Sequence, residues 1–192
     1  MNSPFRAVTT PEKARLRVED FLLLNDNGAF SNYSKTELIE GEIYFMNAQH
    51  SRHARIKTQL AVELTIRLRA LGSDFQPIVE ASTRISDDTL PEPDIVVTSY
   101  KGPHVVPLDT VALLIEVSDS TLDTDLGRKA DLYAAAGVPE YWVVDVNENR
   151  VLMHANPRSD GSGYDGQLNV PFGQMLHAAT IAGLEVETGG LG

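Results

Sequence analysis

Two acids and one lysine occupy positions in this sequence where the local pattern calls for apolar side chains. Asp94 opens the apolar run IVVT, Glu116 interrupts the run VALLIEVS, and Lys129 falls within the apolar stripe of a helical segment. Burying such charges is costly unless they are paired or bind a metal ion. Two carboxylates with a strand carbonyl and waters suit Mg²⁺ or Mn²⁺. An ammonium group beside such an ion suits phosphodiester hydrolysis.

The elements that carry these residues have to bring them together. The run at 111–118 is typical of a strand covered on both faces, and a second buried strand is predicted at 140–146. A helix is predicted between them at about 125–136, ended by Gly137. The leucines of 51–71 recur every three or four residues and predict a long helix. This order of helix, three strands, helix and strand favours an α/β fold with a mixed central sheet flanked by helices.

The remaining segments predict smaller elements around this core. A short helix is expected at 11–24, and the stretch 36–46 has strand character broken by Gly41. The stretch 75–85 also reads as a strand. Hairpin-like pieces are expected at 164–170 and 184–188, and no linker divides the chain. We therefore expect one domain over 1–192, with a core at about 36–155.

Composition excludes several classes of function. The chain has no cysteine, so disulfides and thiolate catalysis are excluded. Its net charge of -11 makes it a poor general binder of nucleic acid, because phosphate neutralisation needs Lys and Arg. No apolar run is long enough for a membrane span, and the N-terminal segment lacks the apolar core of a signal peptide. We expect a cytoplasmic protein that has no membrane partner and no organic cofactor.

Three stretches resemble a known family. PEPDIVV, LLIEVSDST and DLGRKADLYAAAGVPEYWVVD are similar to the signature of the Uma-two family of restriction-type endonucleases, within the PD-(D/E)xK nuclease superfamily. The likeness extends upstream to ELIEGEIYFM and HARI, and so covers roughly Val18 to Leu152. It implies a restriction-endonuclease-like core with added N- and C-terminal β hairpins. It also implies DNA as substrate, Mg²⁺ or Mn²⁺ as cofactor, and a homodimer.

The same resemblance assigns roles residue by residue. Asp94 matches the family's proline-aspartate motif and Glu116 the acidic residue of its second motif, which implies that both bind the metal. The superfamily's usual lysine would stand at Ser118, and Lys129 matches the helix residue that takes over its role. Glu42 matches a further acidic residue and is implied as an extra ligand. Glu80, on the first core strand, is a weaker candidate for the same role.

Four other residues are candidates for DNA contact, and each also has a more ordinary interpretation. The candidates are His50, Arg52, His53 and Ser118. The two histidines lie near the start of the long helix, where such residues are more often part of the surface. Three aspartates stand at or just before the start of the helix predicted at about 125–136, namely Asp119, Asp123 and Asp125. Aspartates in such positions more often cap a helix than bind metal.

Three functions remain open at this point. The first is a divalent-metal-dependent endonuclease that hydrolyses DNA phosphodiester bonds. The second is a catalytically silent nuclease-fold module that binds DNA or protein, which the net acidity and Ser118 favour. The third is an enzyme that uses its paired carboxylates on a sugar or a small phosphoester, although a glycosidase would need no metal and no lysine.

Overall fold

The chain combines helices and strands, with groups of strands between the helices. The computed structural model describes residues 10–46 and 50–191. Its helices are α1 (Val18–Asp26), α2 (Ser51–Ala70), α3 (Leu122–Thr124) and α4 (Ala130–Ala135). A π-helical turn, Asp125–Lys129, joins α3 to α4, and a 3-10 turn, Leu108–Thr110, precedes the longest buried strand.

The strands form one large sheet and three small ones. The large sheet has the order β10-β9-β8-β7-β5-β3, in which β7 and β8 are parallel and the other pairs antiparallel. Its strands are β3 (Gln76–Val79), β5 (Ile95–Thr98), β7 (Val111–Ser118), β8 (Glu140–Asp145), β9 (Arg150–Pro157) and β10 (Tyr164–Pro171). The small sheets pair β1 (Lys35–Ile39) with β2 (Glu42–Met46), β4 (Thr83–Arg84) with β6 (Val106–Pro107), and β11 (Met175–His177) with β12 (Glu185–Glu187).

The two faces of the large sheet are covered by different helices. The leucine stripe of α2 packs on one face, where Leu64 joins the cluster that contains Ile115. Tyr133 of α4 packs on the other face, with Leu114. Because side chains alternate along a strand, Glu116 points to the same side as Leu114. The alternation of β7 therefore directs this carboxylate towards α4 and the π-helical turn.

The β1–β2 hairpin is fixed to the rest of the chain by a third apolar cluster. Leu38 exchanges two backbone hydrogen bonds with Leu90, at 3.2 and 2.7 Å, and packs with Phe21 of α1. The hairpin turns at Gly41, whose φ is +77° and where a Cβ would lie 2.7 Å from the Arg15 Cβ. Only glycine meets both conditions. The docked hairpin places its other face over the end of β7.

The predicted mixed α/β architecture is confirmed, including the order of the core elements, the N-terminal hairpin and the C-terminal pair β11–β12. Two boundaries were wrong, and one helix is less regular than predicted. The first helix begins at Val18 and not at residue 11, because Arg17 is its N-cap and Asp20 accepts a hydrogen bond from the Arg17 N–H at 3.0 Å. The strand predicted at 75–85 ends at Val79, since Glu80 takes a φ of 52°. The helix predicted at 125–136 contains the π-helical turn.

None of the helices in the part of the chain that the structure describes is both long and apolar enough to cross a membrane.

A buried carboxylate, Glu140, fixes the C-terminal segment to β8. It accepts hydrogen bonds from the Trp142 Nε1, at 2.7 Å, and from the Thr180 N–H and hydroxyl, at 2.9 and 2.8 Å. The NH₂ group of a glutamine would face the donor groups of Trp142 and Thr180 and leave hydrogen bonds unmade. We therefore expect Glu140→Gln to lower the free energy of unfolding by about 3 kcal/mol. Urea unfolding followed by circular dichroism measures this. Glu148→Gln, at an exposed turn position, is the control, and equal losses in both variants would contradict the account.

Candidate active site

Asp94 and Glu116 are neighbours across two adjacent strands of the sheet. Ile95 of β5 pairs with Ile115 of β7, so the residue before Ile95 stands across from the residue after Ile115. Both acids are buried and both line a cavity of about 730 Å³. This volume lies in the range of small-molecule sites. The two strands thus bring together acids that are distant in the chain.

Asp94 makes close polar contacts with three neighbours. Its Oδ2 accepts a hydrogen bond from the Val117 N–H at 2.8 Å and lies 3.2 Å from the His53 Nε2. Its Oδ1 lies 3.4 Å from the Lys57 Nζ. Burial alone raises the pKa of Asp94, but the His53 hydrogen bond, the Lys35 charge and the Val117 N–H outweigh burial and hold it well below its usual value. Asp94 is therefore a fixed negative charge at neutral pH.

Glu116 lies in a different environment. Its Oε1 accepts hydrogen bonds from the Lys129 Nζ at 2.8 Å and the Tyr133 hydroxyl at 3.2 Å. Burial raises the pKa of Glu116, and the charges of Lys129 and Lys35 only partly oppose this. The two adjacent carboxyl groups therefore have pKa shifts in opposite directions.

Lys129 is directed into the cavity by the π-helical turn. Its Nζ lies 2.8 Å from Glu116 and 3.2 Å from Glu37. Burial lowers the pKa of Lys129, but these two carboxylates outweigh burial and hold it well above its usual value. The preceding residue, Arg128, hydrogen bonds to the Tyr44 hydroxyl, and to the Glu40 carboxylate at 2.9 Å. The turn that carries the lysine is thus fastened to the β1–β2 hairpin.

Glu37 is a site residue that the sequence reasoning missed. It is buried, and its Oε1 accepts a hydrogen bond from the Glu92 N–H at 2.9 Å. Leu38 faces the third apolar cluster, so Glu37 faces the cavity by alternation. The signal in the sequence was weak, because an isolated acid in the short strand KTELI is compatible with a solvent-exposed face.

The cavity has more acids than cations, which suits a divalent metal. Its acidic lining residues are Glu37, Glu80, Glu92, Asp94, Glu116, Asp119 and Asp125, and its Lys and Arg residues are Lys35, Arg128 and Lys129. Across residues 10–46 and 50–191, no three His, Asp or Glu side chains form a ready-made metal cage. The donor set still fits Mg²⁺, which keeps several waters and often takes only one or two carboxylates with substrate phosphates.

Of the two further acids that were expected as ligands, only Glu80 lines the cavity. It stands just after β3, where it forms an ion pair with Lys57. Glu42 is exposed, and its Oε2 accepts a hydrogen bond from the Tyr44 hydroxyl at 3.2 Å. It is on the same face of the hairpin as Tyr44, a lining residue, but two positions, or roughly 7 Å, nearer the turn. The structure therefore does not bring Glu42 to Asp94 and Glu116, and Glu37 is the hairpin acid that reaches them.

The four expected DNA contacts are placed very differently. His50 is exposed on the cavity wall, and Arg52 is exposed with its guanidinium 2.8 Å from the Asn149 Oδ1. His53 is buried against Asp94, so its expected surface position is wrong. Ser118 is fully buried, and its hydroxyl donates to Asp125 at 2.6 Å. Ser118 therefore has no surface for DNA in this structure, because the helical segment after β7 covers it.

The protein has a mixed sheet between helices, two buried acids at strand ends and a lysine from the following helical segment. Together these features define a restriction-endonuclease-like protein. Comparison with known proteins gives the family. Residues 18–189 match the model of the Uma2 family, described as "Putative restriction endonuclease", and the chain belongs to that family.

The fold is shared with a solved structure of another protein. It is described as "a putative nuclease belonging to DUF820 from Anabaena variabilis", and it matches with a TM-score of 0.69 at 15% identity. The match covers 92% of this chain and 97% of that chain. No curated protein matches the sequence. Family membership supports a nuclease, and the structural match supports the fold.

The depressed pKa of Asp94 predicts a specific effect of acid. A lowered carboxyl pKa contributes stability that is present above the unfolded value of 3.8 and is lost as the pH falls below it, at about 1.4 kcal/mol per pH unit. Asp94→Asn removes this contribution, so it should be less stable than wild type at neutral pH, with a gap that narrows below pH 3.8.

Chemical unfolding at a series of pH values measures this gap. Asp165→Asn is the matched control, because Asp165 is exposed and pairs only with Arg158 in the described contacts. Its stability should parallel that of the wild type throughout. A constant gap between Asp94→Asn and wild type would contradict the placement of Asp94.

Proposed function

We propose that this chain is a divalent-metal-dependent endonuclease that hydrolyses DNA phosphodiester bonds, with Asp94 and Glu116 as metal ligands. The observation that carries the proposal is the juxtaposition of these two acids with the Lys129 Nζ, which lies 2.8 Å from Glu116. Family membership supports the reaction class. The expected homodimer belongs to the same proposal, since two sites would cut both strands of a duplex.

Each residue has a physical role in this proposal. Mg²⁺ or Mn²⁺, when bound, would polarise the phosphate and lower the pKa of a bound water. Asp94, ionised and oriented by the Val117 N–H, supplies a fixed oxygen ligand. Glu116 supplies the second. Glu80 stands on the cavity wall as a candidate outer ligand.

Lys129 supplies positive charge at the cavity wall. Its ammonium group is buried and keeps its proton, because Glu116 and Glu37 surround it. A fixed ammonium group in a partly desolvated site stabilises negative charge that develops on a phosphate, or orients the attacking water. It has this role in place of a lysine at position 118, where the chain has a buried serine.

The alternative is a catalytically silent module that binds DNA or protein. It is favoured by the internal pairing of the site, since Asp94 contacts His53 and Lys57, and Glu116 contacts Lys129. In that case the ion pairs would serve folding alone. Cleavage of DNA by the wild type rejects this alternative.

A nicking assay on supercoiled plasmid with Mg²⁺ or Mn²⁺ tests the proposal. We expect Asp94→Asn, Glu116→Gln and Lys129→Met each to lower the nicking rate at least about a hundredfold, because each removes a ligand or the charge that stabilises the transition state. Glu148→Gln, at an exposed turn position, is the control for loss of an acid and should match the wild type. Equal nicking by all variants would reject the assignment.

The variant Glu42→Gln tests, in the same assay, whether the other hairpin acid contributes to cleavage. Because the structure holds Glu42 outside the cavity lining, we expect a nicking rate within about twofold of the wild type, whereas Glu37→Gln should lower it. The reverse result would show that the hairpin moves Glu42 into the site.

A further inference from the structure

Two aromatic side chains, one of which lines the cavity, are stacked on each other. The ring centroids of Tyr33 and Phe45 are 3.7 Å apart, and the rings are inclined by only 14°. Tyr33 is 49% exposed and Phe45 46% exposed. Contiguous exposed apolar surface is one of the features of binding sites. We call Tyr33 and Phe45 the aromatic pair.

The aromatic pair is continuous with the candidate active site. Phe45 and the following Met46 line the same cavity as Asp94 and Glu116. The segment Ser34–Lys35, which leads from Tyr33 into β1, also lines it. A ligand that reaches the two acids from this side therefore passes over exposed aromatic surface.

Buried aromatic residues hold the aromatic pair in place. Phe45 also contacts Phe30, with centroids 6.2 Å apart, and Phe30 is buried against Phe21 at 5.2 Å. This aromatic series anchors the pair to α1 and the third apolar cluster. An aromatic surface that is ordered before binding loses little conformational entropy when a ligand stacks on it.

Charge alone gives this site little affinity for nucleic acid. The chain has a net charge of -11, and the acids that line the cavity outnumber the Lys and Arg residues. Affinity from phosphate neutralisation requires the opposite balance. Stacking of a base on an aromatic ring involves no net charge and is tolerant of sequence, so it can supply affinity where phosphate contacts cannot.

We propose that the aromatic pair stacks an unpaired nucleobase next to the cavity, so that the substrate is single-stranded DNA, or DNA with a base extruded from the duplex. This inference rests on the proposed nuclease function and names its substrate class. Bases within a duplex are already stacked on their neighbours, so their faces are available to the pair only when they are unpaired. The observations that carry it are the exposure of the pair and its continuity with the acids.

Fluorescence anisotropy with a chelator present tests the inference without cleavage. The probes are a short labelled single-stranded oligonucleotide, the same sequence as a duplex, and an abasic oligonucleotide with the same number of phosphates. We expect the single strand to bind at least about tenfold more tightly than the abasic strand or the duplex. Wild-type protein that binds all three equally would overturn the inference.

Two variants then localise the effect. Tyr33→Ala and Phe45→Ala should each weaken single-strand binding about tenfold, or about 1.4 kcal/mol, and leave abasic binding unchanged, while Phe45→Trp keeps the wild-type affinity. Leu168→Ala is the control, since it removes an apolar side chain that is 64% exposed on β10. Thermal unfolding establishes that each variant is folded. Unchanged single-strand binding by folded Tyr33→Ala overturns the inference even where Phe45→Ala fails to fold.

Sedimentation and cleavage assays separate the remaining outcomes. A wild-type dimer that Tyr33→Ala converts to a monomer would assign the pair to a second copy of the chain and overturn the inference. Cleavage by a wild type that shows no base-dependent binding overturns the stacking surface alone. Base-dependent binding without any cleavage overturns the nuclease proposal and leaves the stacking surface standing.

Discussion

The buried ion pair between Lys129 and Glu116 is the interaction on which the site depends. A charge of either sign would be very costly at this depth without its partner. The pair therefore requires β7 and the helical segment after it to keep their relative positions. Glu37 adds a second carboxylate to Lys129 from the hairpin. One ammonium group thus ties together the central sheet, the π-helical turn and the N-terminal hairpin.

The π-helical turn is the local feature that makes this possible. π-helical turns are rare and often occur at functional sites. Here the turn spans Asp125–Lys129 and ends at the lysine that enters the cavity. Asp125 at its start accepts hydrogen bonds from Ser118 and Thr121, each at 2.6 Å, while Arg128 contacts the hairpin. Both ends of the turn are therefore fixed.

Much of the fold could be predicted because its signals are local. The leucine spacing of α2 and the apolar runs of β7 and β8 each specify an element type, and their order specifies the architecture. The proximity of Asp94 and Glu116 could also be predicted from the sequence, because an acid inside an apolar strand needs a partner. Residue spacing could not reveal the π-helical turn, whose geometry depends on tertiary contacts.

Other site residues were missed for reasons of packing. Glu37 and Glu42 look equivalent in the sequence, and only the docking of the hairpin on Leu90 decides which of them reaches the cavity. His53 looks like a surface residue at a helix start, but α2 lies close enough to the start of β5 for His53 to contact Asp94. Long-range register of this kind is not encoded in any short window of sequence.

The central claim is that Asp94 and Glu116 bind one divalent cation between them. Titration calorimetry with Mn²⁺ tests it most directly, on the wild type and on folded Asp94→Asn and Glu116→Gln. The account predicts that the wild type binds one Mn²⁺ per chain at millimolar or lower concentration, and that each substitution abolishes this binding. Absence of binding by the wild type, or binding that survives both substitutions, would contradict it.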